Sequence, residues 1–291
     1  MHAVELVLDV KNTLGEGPAW DHDRQLLYWV DIIEGKIWSF DPETNQSRFI
    51  EVDRMVGAAV PKASGGFIVA AQHGFYRLNP ASDSLIPIAE PETGRPNNRF
   101  NDGKCDAKGR FWAGTMDHNQ EEISGALYCL DQNLQVRKVL DGVGISNGLA
   151  WDKENKTMFY IDSVTKQVAA FDYDLESGSI RNKRTVVTIP EGEGIPDGMT
   201  IDDEGMLWVA QWEGARVSRW NPATGQRLDS IALPASKVTS VVFGGKHLDE
   251  LYITTARVGL SEEELEKQPH AGGLFRVKLG IKGSPTYRFE G

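Results

Sequence analysis

With 291 residues, 25% of them charged and 40% hydrophobic, the chain has the balance of a folded globular protein, which excludes disorder. The net charge of -11, with no Lys/Arg cluster, argues against nucleic acid or an anionic membrane as partner, because both need a basic patch. No apolar run reaches the roughly 18 residues of a membrane span, and Cys105 and Cys129, with no second thiol or histidine at metal-ligand spacing, read as free buried thiols.

The opening segment MHAVELVLDVKNT is interrupted by Glu5 and Asp9, so it does not read as a secretory signal, and a cytoplasmic location is expected. Residues 3–10 alternate as a strand does. When a chain of sheets closes into a ring, one terminus commonly lends a strand to the sheet begun by the other, which removes the open edge, and residues 274–289 are the expected partner region.

From Gly15 onward one pattern recurs. A residue followed by Gly or another small residue runs into a hydrophobic strand at Glu16-Gly17, Val56-Gly57, Asp102-Gly103, Asn147-Gly148, Asp197-Gly198 and Thr239-Ser240. Each leads through a polar turn into a second β run, as in GLAWDKENKTMFYID, and most into a third, such as KQVAAFDYD. The starts lie 40 to 50 residues apart, the interval of one four-stranded propeller blade. The prediction is an all-β, six-bladed β-propeller forming a single domain over residues 1–291.

The elements between the repeats carry little chemistry. Asp41-Pro42-Glu43-Thr44, Asn79-Pro80-Ala81-Ser82 and Asn221-Pro222-Ala223-Thr224-Gly225 are hairpin turns of one type. Most tryptophans fall in strands and are expected to pack blade against blade, whereas Trp212 is placed near an opening. Ser261 and Glu264 form a capping box for a short acidic helix over 261–268, which decorates a loop of the last blade. The acidic groups Glu121-Glu122 and Asp202-Asp203-Glu204 read as solvated turns.

Residues that recur once per blade form a ring around the channel, here Glu16, Val56, Asp102, Asn147, Asp197 and Thr239. Carboxylates crowded in a confined channel repel unless protons or a cation offset them, which argues for a bound metal. Glu16, Asn147 and Asp197 offer only oxygen, suiting Ca²⁺, Mg²⁺ or Mn²⁺, with Zn²⁺ also accepting such ligands. At this point a purely structural ion, or turn-capping residues before Gly, explains the same pattern. Gly144-Ile145-Ser146-Asn147-Gly148 matches a nucleophile elbow, but a strand follows it where the elbow needs a helix. The six histidines show no zinc-site spacing, and only His118 falls near the ring.

The segments Gly15-Glu16-Gly17-Pro18, Asn98-Arg99-Phe100-Asn101-Asp102-Gly103-Lys104, Ala113-Gly114-Thr115-Met116, Ile145-Ser146-Asn147-Gly148-Leu149, Phe171-Asp172-Tyr173-Asp174, Ile195-Pro196-Asp197-Gly198-Met199 and Val242-Phe243-Gly244-Gly245 span nearly the whole chain in order. Together they resemble the family of senescence marker protein (regucalcin), gluconolactonase and related sugar lactonases. The resemblance implies a single divalent metal held by Glu16, Asn147 and Asp197. It also implies Asp197 as general acid/base and Arg99 and Asn101 as substrate-holding residues. A further substrate contact, acidic in vertebrate relatives, falls by count on Asn119, with Glu121 as the alternative from a shifted loop.

The expected function is a metal-dependent hydrolase that opens aldonolactones such as glucono-1,5-lactone, acting on a small-molecule sugar substrate and as a monomer. The alternatives are a calcium-binding regulator without catalysis, or a related propeller hydrolase of another ester or an organophosphate.

Overall fold

The computed structural model describes residues 2–79 and 81–291, so Met1, and Pro80 of the turn Asn79-Pro80-Ala81-Ser82, lie outside the described residues. The chain forms six four-stranded antiparallel sheets. Blades 1 to 5 are built from consecutive strands over 15–51, 56–89, 98–143, 146–188 and 195–232. Blade 6 joins Val238–Gly244, Glu250–Thr255 and Leu274–Lys278 to the amino-terminal strand Val4–Leu8. That pairing is antiparallel, Val4 opposite Val277, and closes the ring. The partner region is narrower than the expected 274–289.

The first strands of the blades pack side by side around the axis. Between neighbouring blades lies one hydrophobic cluster each, six in all. The tryptophans fill these seams: Trp112 meets Trp151 edge-on between blades 3 and 4, and Trp20 stacks on Tyr252 between blades 1 and 6, with centroids 5.9 Å apart. A fully buried side chain of this size contributes about 1.5–3 kcal/mol, so the seams hold the ring closed.

The recurring residue-plus-Gly pattern has a structural cause. Each first strand carries a bulge against its second strand at that point: Glu16/Ala19, Val56/Ala58, Phe100/Asp102, Ser146/Leu149, Pro196/Met199 and Val238/Ser240. A bulge re-aims a side chain and bends the strand, here toward the channel. The small residue after it lets adjacent blades approach. A Cβ on Gly148 would stand 2.6 Å from Met199 Cβ and 2.9 Å from the Asp197 carbonyl of the next blade.

The carboxy-terminal stretch has a separate task. It meets the far ends of the first strands: Gly283 bridges Asp202, the Thr286 hydroxyl donates to the Trp20 carbonyl, and the Phe289 N–H donates to the Pro61 carbonyl at 3.0 Å. Phe289 is fully buried in the seam between blades 2 and 3. The tail thereby crosses the channel end opposite the bulges.

The helix Glu262–Lys267 is capped by Ser261 with the reciprocal Glu264 bond, as the capping box requires. Asp202, expected in solvent, is buried. It accepts from the Trp208 indole at 2.9 Å and pairs with Arg219 at 2.8 Å, because a carboxylate at the end of a first strand satisfies turn N–H groups and a buried indole at once. Asp203 and Glu204 are exposed.

Candidate metal and substrate site

The bulged ends of the first strands surround a cavity of about 330 Å³, open at one end of the channel. Three of the six ring positions line it, Glu16, Asn147 and Asp197, and they are 2%, 3% and 6% exposed. Val56, Asp102 and Thr239 do not. In blade 3 the bulge falls one residue early, so Asn101 and not Asp102 faces the cavity. The Thr239 hydroxyl is consumed inside the ring, donating to the Gly15 carbonyl at 2.5 Å and tying blade 6 to blade 1.

The lining residues hold one another in place. Glu16, Asn147 and Asp197 line one wall region of the cavity, where the Glu16 carboxylate accepts from the Gly17 N–H at 2.7 Å. The Asn147 amide donates to Ser163 Oγ at 2.9 Å, and that hydroxyl donates to the Pro196 carbonyl at 2.7 Å, which fixes which end of the amide is the oxygen. Asn101 Nδ2 donates to the Ser146 carbonyl at 2.8 Å and to Asn147 Oδ1 at 3.3 Å. Arg99 Nη1 donates to Asn101 Oδ1 at 2.7 Å, while its buried Nε has no partner.

Electrostatically the site is under load. Burial, then the negative charges of Asp197 and Asp102, push the Glu16 carboxyl well above its usual range. Burial and Asp102 do the same to Asp197, with Glu16, Arg99 and Asn147 opposing. Burial lowers the Arg99 guanidinium to about 10 against the pull of Glu16 and Asp197. Two buried carboxyls beside each other, joined by an amide oxygen, form an all-oxygen donor set, and a hard divalent cation relieves the charge that burial penalises. The residues therefore fit the metal implied by the sequence. Among the described residues no three His, Cys, Asp or Glu side chains are grouped for metal binding; here the set is two carboxylates and an amide.

At the rim, His118 and Gln120 line the cavity, as does Trp212, whereas Asn119 and Glu121 do not. The cause is local. Asp117 accepts the backbone N–H groups of Asn119 at 3.3 Å, Glu121 at 2.8 Å and Glu122 at 3.1 Å, curling the loop so that alternate residues turn outward. Ser146 is fully buried and its hydroxyl accepts from Tyr160 at 2.7 Å, a structural setting with no base beside it. The cysteines are free and buried.

Sequence reasoning missed Lys237, Ser163 and Ile33, which also line the cavity. A signal for Lys237 was available. In a strand, residues two apart share a face, and two before the bulge-point residues Glu16, Asn101, Asn147, Asp197 and Thr239 stand Leu14, Arg99, Ile145, Ile195 and Lys237, which line the cavity, whereas Arg54, two before Val56 in blade 2, does not.

Comparison with known proteins agrees with this architecture. Residues 14–257 match the family model described as the SMP-30/gluconolactonase/LRE-like region. The chain is similar to regucalcin of Danio rerio, 43% identical over 99% of this chain and 98% of that one. It is also similar to the Bacillus subtilis (strain 168) protein YvrE, whose name assigns it to the sugar lactone lactonases, at 41% identity over 98% of each chain. Among solved structures, a luciferin-regenerating enzyme superposes with a TM-score of 0.94 at 36% identity over 100% of both chains. The chain belongs to the SMP-30/gluconolactonase/LRE-like family.

Proposed function

We propose that the protein is a metal-dependent hydrolase that opens sugar lactones, aldonolactones such as glucono-1,5-lactone among them, to the corresponding acids. The observation that carries this reading is the convergence of Glu16, Asn147 and Asp197 in one cavity with Arg99 and Asn101 on the adjoining wall. Glu16, Asn147 and Asp197 would hold one divalent ion, Ca²⁺, Zn²⁺, Mn²⁺ or Mg²⁺. When bound, the ion supplies Lewis-acid polarisation of the ester carbonyl.

Asp197 takes a proton from the attacking water as the water oxygen bonds to the carbonyl carbon, and it returns that proton to the ring oxygen as the ring C–O bond breaks. Arg99 and Asn101 hold the sugar by charge-assisted and neutral hydrogen bonds respectively. Their mutual bond at 2.7 Å presents both groups from one wall, which limits the poses open to the ring.

The test is hydrolysis of glucono-1,5-lactone by chelator-stripped protein, then after adding Ca²⁺, Mg²⁺, Mn²⁺ or Zn²⁺ singly, with spontaneous hydrolysis subtracted. Turnover restored by an ion supports the lactonase reading and ranks the ions. Folded, metal-loaded protein that turns over none of a panel of sugar lactones overturns it, leaving a metal-binding protein without catalysis or a hydrolase of other esters.

A further inference from the structure

Lys237 lies in blade 6, across the six-bladed ring from blade 3 and Arg99. It precedes the first strand of its blade and stands two residues before the bulge residue Thr239, as Arg99 stands two before Asn101. The two cations therefore occupy equivalent positions on opposite walls of the same cavity, with the Glu16, Asn147 and Asp197 set between them.

Lys237 is 8% exposed and firmly placed. Its carbonyl accepts from the Ala256 N–H at 3.0 Å, its Nζ donates to the Val258 carbonyl at 2.7 Å, and the same nitrogen sits 4.8 Å from the centre of the Trp212 ring. No carboxylate among the described residues pairs with it; Glu264, whose carboxyl is lowered in part by the Lys237 charge, is exposed and lies beyond ion-pair distance. An ammonium has three donors, and one carbonyl and one ring face leave capacity for an acceptor from the cavity. A buried cation without a counter-charge is costly unless a ligand supplies one. A neutral aldonolactone does not.

We propose that Lys237 binds a carboxylate on the substrate, and that the preferred substrates are lactones of dicarboxylic sugar acids, in which one carboxyl is closed into the ring and the other is free. This rests on the lactonase reading above. The ester end lies toward Arg99, Asn101 and Asp197, and the free carboxylate reaches across to Lys237, where Trp212 shields the pair from water and strengthens it.

Two probes with the same five-membered ring isolate the contact: glucaro-1,4-lactone, with a carboxylate at the distal carbon, and glucono-1,4-lactone, with a hydroxymethyl group there. The metal-loaded wild type is expected to favour the carboxylate probe at least tenfold in kcat/KM. Lys237→Met, checked for native folding by circular dichroism, should lower kcat/KM for that probe at least tenfold more than for the neutral one, mainly through KM, and Lys237→Arg should recover part of the loss. Equal effects on both probes, or a wild-type preference for the neutral lactone, overturn the inference while leaving the lactonase reading intact. If neither lactone is turned over, calorimetric binding of the open-chain acids decides it. Glucarate must bind the wild type at least tenfold tighter than gluconate and lose that advantage in Lys237→Met, and absence of the difference overturns the proposal independently.

Discussion

Asp197 is asked to do two things, hold an ion and carry a proton, and its substitution should show both. Asp197→Ala is expected to abolish tight metal binding and lower kcat by at least the 10²–10⁴-fold typical of a lost general base, with the circular dichroism spectrum unchanged. Retained activity would remove Asp197 from the chemistry. Arg99→Ala should raise KM or lower kcat while metal content, read by atomic absorption, stays at wild-type level. The raised carboxyls also give a signed pH dependence in metal-free protein. Glu16 and Asp197 bind protons more tightly folded than unfolded, where ordinary values are about 4.3 and 3.9, so their contribution to stability falls as pH rises above that range. Chelator-stripped Glu16→Gln should therefore gain stability over the wild type between pH 5 and 8, by a margin that widens with pH in urea denaturation. A margin that shrinks with pH would contradict the assigned direction. Burial pushes the Cys129 thiol up to about 12 and raises Cys105 well above its usual range, so neither should react with a thiol reagent before unfolding.

At the level of the element, the bulge is the device that turns a strand into a site. Alternation alone would aim residues at either face of a blade, whereas bulges in the first strands of blades 1, 3, 4 and 5 aim Glu16, Asn101, Asn147 and Asp197 into one cavity. Gly148→Ala tests this. The added Cβ would press on Met199 and on the carbonyl of Asp197, and moving that backbone shifts a residue proposed above to hold the ion. A cost of about 1–3 kcal/mol in chemical denaturation is expected, together with weaker metal binding than in the wild type. A stability loss with metal affinity unchanged would separate the bulge from the site. The residue-plus-Gly repeat was legible in the sequence because six copies of one solution leave a period. The one-residue displacement of the bulge in blade 3 was not legible, since Asn101 and Asp102 both suit the position chemically and only strand pairing selects between them.

Across the whole molecule, the site and the carboxy-terminal tail are kept at opposite ends of the channel. The amino-terminal strand seals blade 6, and the carboxy-terminal tail crosses the end away from the cavity, anchored by Phe289. Phe289→Ala is expected to cost about 3–5 kcal/mol in chemical denaturation, the usual price of emptying a buried aromatic position, while kcat at 25 °C stays within twofold of the wild type. A matching fall in kcat would show that the tail supports the site through the channel.

The sequence by itself determined the blade count, the closing role of the amino-terminal strand and the oxygen-rich character of the channel mouth, because each rests on periodicity or on the chemistry of residue types. Tertiary structure decided what depends on neighbours remote in sequence. It placed His118 and Gln120 at the rim in place of Asn119 and Glu121, because Asp117 gathers three backbone N–H groups and sets the curl of the loop. It buried Asp202 beside Arg219 and Trp208, where sequence showed only an acidic turn. It also set Lys237 and Arg99 on facing walls, since the distance between residues so far apart in the chain exists only once six blades have closed.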